Sequence, residues 1–110
     1  DMRAWAQSKS EAPKPFIVSE IGAGAIYGFH DMNHAKWSEE RQADILREQL
    51  EAVLGNLHIA GVLLWQFADC RVDDSWFGAR PKTQNNKGIV DAYRRPKLAW
   101  QVVKDIFNTF

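Results

Sequence analysis

Two short apolar runs and two stretches of helical periodicity divide this chain. Pro15 to Ser19 (Pro-Phe-Ile-Val-Ser) ends at an acidic residue and predicts a buried strand. Gly61 to Phe67 is a second continuous apolar run, bounded by Gly and Asp, and its lack of alternation predicts a strand covered on both faces. Between them Ser38 is a good N-cap, with Glu39 and Glu40 suited to the positive end of a helix dipole. Arg41 stands where a capping box would place Glu or Gln, so the box is incomplete. Ala43, Leu46, Leu50, Val53, Leu54 and Leu57 then recur at helical spacing, and Gly55 marks the expected end. A last helix is predicted from near Pro96, with Ala99, Val102, Val103, Ile106, Phe107 and Phe110 on its apolar side. At the start of the chain Met2, Trp5 and Ala6 share a helical face until Ser8, Ser10, Pro13 and Pro15 break the pattern.

The predicted order is helix end, strand, long loop, helix, strand, long loop, helix. Buried strands alternating with amphipathic helices indicate parallel βα units and an α/β fold. The first loop opens with Ile21-Gly-Ala-Gly-Ala-Ile-Tyr-Gly, whose glycines allow close backbone approach, and the second covers residues 69–95. Both follow strands, on the side where α/β architectures place their active sites, and both are longer than plain connections. Two strands buried on both faces cannot cover themselves within 110 residues. The expectation is therefore a piece of a longer protein, or copies that pair to bury the open strand edges.

Composition narrows the partners. With 14 basic and 14 acidic side chains the formal net charge is zero, so no nucleic acid and no anionic membrane is expected as partner. No apolar run approaches the roughly 20 residues of a membrane helix, and the start lacks a signal-peptide layout, so a cytoplasmic location is expected. Cys70 is the only cysteine, which excludes an internal disulfide and reads as a small buried hydrophobe. His30 and His34 lie four apart, but in a loop with no third ligand at fixed spacing, so no metal is expected. His58, between Leu57 and Ile59, reads as structural, and no phosphate-cradling, zinc or nucleophile-elbow motif is present.

Three constellations remain. Glu20 follows an apolar strand and precedes a glycine-rich loop, where a carboxylate can attack or stabilise a developing sugar cation; a solvated strand-end Glu is the plainer reading. Trp65-Gln66-Phe67-Ala68-Asp69 ends the second strand, and Trp65 can floor a sugar ring or pack in a core, while Asp69 can cap a turn or meet a ligand. In Gln84-Asn85-Asn86-Lys87-Gly88 an ammonium and an amide suit a carboxylate, although such loops also form ordinary turns.

Together these residues resemble glycoside hydrolase family 2, and within it β-glucuronidases. The likeness runs from Pro15 to Phe107 through Val18-Ser19-Glu20-Ile21-Gly22, Trp37-Ser38-Glu39-Glu40-Arg41-Gln42, Leu64-Trp65-Gln66-Phe67-Ala68-Asp69, Asn85-Asn86-Lys87-Gly88 and Arg95-Pro96-Lys97. The family fold is a jelly-roll domain, an immunoglobulin-like domain and a C-terminal (β/α)8 TIM barrel. The resemblance implies that this chain is the last quarter of that barrel: a helix end, strand 7, helix 7, strand 8 and helix 8. It also implies a β-glycoside substrate, uronate or galactoside, and no cofactor. Glu20 resembles the family's nucleophile, Trp65 its sugar-contacting tryptophan, and Asn85 with Lys87 the Asn-x-Lys pair that recognises the glucuronate carboxylate.

The chain departs from the family in having Ile21 where a Tyr commonly follows the nucleophile, and Arg80-Pro-Lys-Thr-Gln before Asn85 in a loop style similar to gut-bacterial members. A retaining mechanism needs a second carboxylate about 5–5.5 Å from the nucleophile. In the family this comes from an Asn-Glu pair after the fourth strand. Here Glu39, Glu40 and Asp44 fall on the predicted helix and read as solvated, and Asp73 and Asp74 match no acid/base motif. The chain alone is thus expected to be inactive, and to self-associate or need the rest of the barrel. A β-galactosidase or galacturonidase of the same family, and a non-catalytic sugar-binding or self-associating chain, are the rival readings.

Overall fold

The computed structural model describes residues 14–73 and 78–110. Within them strand β1 (Phe16–Ile21) leads through a loop to helix α1 (Glu39–Leu54), and the chain returns along strand β2 (Ile59–Leu64). A small ladder of β3 (Cys70–Arg71) and β4 (Gln84–Asn85) follows, and helix α2 (Leu98–Thr109) comes last. The helix end expected around Met2 and Trp5, and Asp74, lie outside the described residues.

β1 and β2 are parallel neighbours joined by α1, as the alternation of apolar runs and helical periodicity predicts. Val18 pairs with Val62 and Ile21 with Leu64, so β1 advances three residues while β2 advances two. The extra residue falls at Ser19–Glu20. Such a bulge bends its strand and re-aims the side chains at its tip.

Helix α1 starts where Ser38 accepts a hydrogen bond from the Arg41 amide at 3.1 Å and donates to the Ala35 carbonyl at 2.6 Å. Its buried stripe, Leu46 and Leu50, meets Ala99, Val103 and Ile106 of α2, with Ile89 closing the cluster. Ile21, Val62 and Leu64 pack against that cluster from the sheet. The helix ends at Leu54, where Gly55 donates back to Glu51, so Leu57 lies beyond it and is 98% exposed rather than on the apolar stripe. Phe107 and Phe110, expected on the apolar side of α2, are also largely exposed.

The strands are not covered on both faces. Helix α1 shields one face, while Ile17 and Leu63 remain 55% and 60% exposed on the other. The described residues of 69–73 and 78–95 also hold more regular structure than a plain loop. Cys70 pairs with Asn85 and Arg71 with Gln84, and Val90 bridges both Ala68 and Pro96. Cys70 therefore sits on a surface strand and is exposed, not buried as expected.

Because Leu50 is fully buried at the α1–α2 contact, Leu50→Ala is expected to cost about 2–5 kcal/mol. Ser38→Ala, which removes the cap, is expected to cost about 1 kcal/mol. Chemical denaturation of the two variants measures both, and equal midpoints for Leu50→Ala and the parent would contradict the placement of the core.

Candidate active site

The parallel register brings two of the predicted residues to neighbouring strand ends. Glu20 lies one residue before Ile21 and Trp65 one residue after Leu64, the last paired positions of β1 and β2. The Trp65 amide donates to the Ile21 carbonyl at 2.7 Å. Gly22 passes so close that a Cβ there would stand 2.1 Å from the Trp65 carbonyl oxygen, so glycine is required for the strands to meet this tightly. Glu20 is exposed, and Trp65 is 47% exposed. An open carboxylate and an open indole thus share one end of the sheet.

The third constellation reaches the same end through its backbone. Lys87 accepts a hydrogen bond from the Gln66 amide at 3.0 Å, directly after Trp65, and the next rungs follow as Ile89 donates to Gln66 and Val90 to Phe67. The Lys87 amide donates to Asn85 Oδ1 at 3.1 Å, a local turn that holds the two residues together. The Lys87 side chain is exposed. The neighbours on either side of it are not: Asn86 and Gly88 are buried. At Gly88 a Cβ would meet three backbone atoms of residues 68, 69 and 90 at 2.3–2.5 Å, so the loop is pressed flat against the segment after β2.

Beneath these groups lies a buried polar layer. Asp69 accepts from the Gly88 amide at 2.9 Å and from the Lys97 ammonium at 2.9 Å, so it is a structural anchor rather than a ligand contact. Lys97 also donates to the carbonyls of Ala25 at 2.7 Å and Asn86 at 3.1 Å. Burial drives the Asp69 carboxyl up and the Lys97 ammonium down, each opposed by the charge of the other. Gln42 donates to the carbonyls of Ala23 and Gly88, both at 2.9 Å. Glu39, expected to be solvated, is buried instead: its two oxygens accept from the amides of Gly28 at 2.7 Å and Leu98 at 2.8 Å, the latter capping α2.

Sequence reasoning missed Gln42, Lys97 and the role of Glu39, because each lies on a helix or at its cap where a polar residue is unremarkable. The Trp37–Gln42 and Arg95–Lys97 matches were the only signals that these positions matter. Two of the three histidines pair with acids of α1: His30 with Glu40 at 2.7 Å, and His34 with Asp44. These contacts fasten the loop after β1 to the helix. His58 is exposed, so it does not serve the structural role expected of it. Among the described residues no three His, Cys, Asp or Glu side chains group to hold a metal ion, and no helix is long and apolar enough to cross a membrane.

No family model matches the chain. It is 40% identical over 89 residues to a β-glucuronidase of Canis lupus familiaris, covering 78% of this chain and 13% of that protein. A rat (Rattus norvegicus) β-glucuronidase is 35% identical over 95 residues, 84% of this chain and 14% of that one. Among solved structures, a GH2 β-galacturonidase from Eisenbergiella tayi bound to galacturonate superposes with a TM-score of 0.88 at 58% identity, over 97% of this chain and 19% of that one. The β-glucuronidase of Ruminococcus gnavus gives a TM-score of 0.77 at 30% identity, over 87% and 16%. The chain thus spans less than a fifth of the length of each of these proteins.

The loop after β1 carries a pH signature. The hydrogen bond to Glu40 raises His30 above its ordinary 6.5, and the same bond lowers Glu40 to about 2 from 4.5. The His30 contribution is full below pH 6.5 and lost as pH rises through its raised value. The Glu40 contribution is present above pH 4.5 and lost as pH falls towards about 2. The contact is therefore strongest between about pH 4.5 and 6.5. An NMR titration is expected to place the His30 midpoint above 6.5 and to find it lower in Glu40→Gln; an unchanged midpoint in that variant would refute the pairing.

Proposed function

The chain belongs to the β-glucuronidase-like enzymes of glycoside hydrolase family 2, and on that premise we propose that it is part of a retaining β-glycosidase acting on terminal β-uronides. In this reading β1 and β2 are strands 7 and 8 of a (β/α)8 barrel, and the exposed Ile17 and Leu63 face its interior. Glu20 is the nucleophile. It attacks the anomeric carbon while a second carboxylate, supplied by the rest of the enzyme, protonates the departing oxygen. That carboxylate then takes a proton from water, which displaces Glu20 from the sugar and restores both groups. Trp65 offers its exposed face to the sugar ring. Asn85 and Lys87 hold the uronate carboxylate, the amide by direction and the ammonium by charge.

One observation carries this reading: the Ile21–Leu64 register and the Gln66–Lys87 hydrogen bond gather a carboxylate, an indole and an Asn-x-Lys loop at one end of a parallel sheet. Glucuronides are the substrates the sequence motifs suggest. The 58% likeness to a β-galacturonidase, against 30–40% for the glucuronidases reported above, favours galacturonides as a second reading. Among the described residues β1 and β2 carry no carboxylate besides Glu20, so in this reading the chain is inactive without the remainder of the barrel.

The enzyme that contains this chain is expected to turn over chromogenic β-D-galacturonide or β-D-glucuronide well above the neutral β-D-galactoside. Glu20→Gln is expected to lower kcat by roughly 10³-fold or more, equivalent to about 4 kcal/mol of barrier. Lys87→Ala is expected to lower kcat/KM for the uronide by roughly 10- to 100-fold, the worth of one charge-assisted hydrogen bond. Turnover of the galactoside alone, or indifference of the uronide to Lys87→Ala, would overturn the uronide assignment. Retained activity in Glu20→Gln would overturn the nucleophile.

A further inference from the structure

The Gln66–Lys87 and Trp65–Ile21 backbone bonds tie the Asn85–Lys87 turn to the end of β1 only by way of the segment after β2. The two side chains belong to the loop after β2, and the nucleophile to β1. The distance between the reaction centre and a carboxylate grip must nevertheless match one sugar ring, because a misplacement of about 1 Å can cost roughly 10²-fold in rate.

Two buried side chains span that gap. Lys97, at the cap of α2, donates to the Ala25 carbonyl in the loop after β1 and to the Asn86 carbonyl in the grip loop. Gln42, on α1, donates to Ala23 in the first loop and to Gly88 in the second, both at 2.9 Å. Their acceptors alternate along the two loops: Ala23 and Ala25 on one side, Asn86 and Gly88 on the other. Lys87, lying between Asn86 and Gly88, is held on both flanks while its own side chain stays open. A direct bond from the Ala25 amide to the Asn86 carbonyl at 2.9 Å runs between the two staples. Both side chains are buried, at 0% exposure for Gln42 and 3% for Lys97, so water cannot substitute for either.

We infer that Lys97 and Gln42 are positioning residues for uronate selectivity, setting the span between the Glu20 loop and the Asn85–Lys87 grip. Both are buried away from the open Lys87 side chain; Lys97 acts through Asn86 and Gln42 through Gly88, the two chain neighbours of Lys87. The lysine suits the task because its three protons meet three acceptors, Ala25, Asn86 and Asp69, leaving none unsatisfied. The inference rests on the proposed carboxylate grip.

The test is made in the intact enzyme, reading the ratio of kcat/KM for the β-uronide to that for the corresponding neutral β-glycoside. Lys97→Met and Gln42→Leu are each expected to lower that ratio by roughly 10- to 100-fold, the range of a lost charge-assisted hydrogen bond at the grip. Lys97→Met leaves Asp69 buried without its partner. The double variant Lys97→Met/Asp69→Asn, which removes both charges, decides the matter if the single variant does not fold. An unchanged ratio, or uronide and neutral substrate falling in parallel, would reduce both residues to general structural staples and overturn the inference. Lys87→Ala separates the two levels. If it collapses the ratio while Lys97→Met and Gln42→Leu do not, only the positioning role fails. If Lys87→Ala leaves the ratio unchanged, the carboxylate grip itself fails.

Discussion

The ammonium of Lys97 has no solvent to fall back on. Its side chain is fully buried, and so is nearly all of the Asp69 carboxylate beside it. Taking two charges out of water costs several kcal/mol per ion, which mutual attraction repays only with near-complete hydrogen bonding. That condition dictates the local chain path. The Ala25 and Asn86 carbonyls must point inward to serve Lys97, and the Gly88 amide must point inward to serve Asp69. Gly88 can do so only without a side chain, since its backbone lies against residues 68 and 69. The loops that carry the candidate chemistry are thus ordered by the need to satisfy one buried ion pair. Removal of either partner would leave a lone buried charge, worth about 3–5 kcal/mol of destabilisation.

The sheet imposes the opposite constraint. Its α1 face is finished by Leu46, Leu50 and the stripe of α2, but the face bearing Ile17 and Leu63 is apolar and open. A two-stranded sheet needs cover on its apolar faces, and in a closed barrel neighbouring strands and interior side chains supply it. The bulge adds to this constraint, because it bends the tip of β1 where the acidic Glu20 follows the apolar run Phe16–Val18.

The elements were legible in the sequence because they rest on local rules. The runs Pro15–Ser19 and Gly61–Phe67 overlap β1 and β2, and the Leu46–Leu50 stripe lies within α1, because continuous apolar runs mark buried strands and helical spacing reports which face of a helix is buried. The placement of Glu20, Trp65 and Asn85–Lys87 at one sheet end follows from parallel topology once the strands are identified. Long-range polar pairing was not legible. Glu39 looked solvated because acids in the first turn of a helix usually are, yet its partners, Gly28 and Leu98, lie 11 and 59 residues away. Lys97 bonds to Ala25 across 72 residues, and Gln42 to Gly88 across 46. Neither periodicity nor propensity carries information about contacts of that separation. Cys70 was misjudged for a related reason: its apolar neighbours Phe67 and Ala68 continue the run after β2, whereas Cys70 begins a separate surface ladder.

The same geometry limits what the proposed grip can distinguish. Galacturonate and glucuronate share a carboxylate and differ in the configuration of one ring hydroxyl, so a grip that reads charge treats them nearly alike. Lys87 is a point charge on a flexible stem, and a salt-bridged carboxylate at the sugar's edge would satisfy it in either epimer. Separation of the epimers has to come from groups that meet the ring hydroxyl directly, where a buried donor or acceptor left unpaired by the wrong epimer carries a large penalty. On the proposed reading Lys97 and Gln42 therefore set a uronate-wide selectivity, acid over neutral sugar. Selectivity between uronates is a second, independent layer that their hydrogen bonds do not reach.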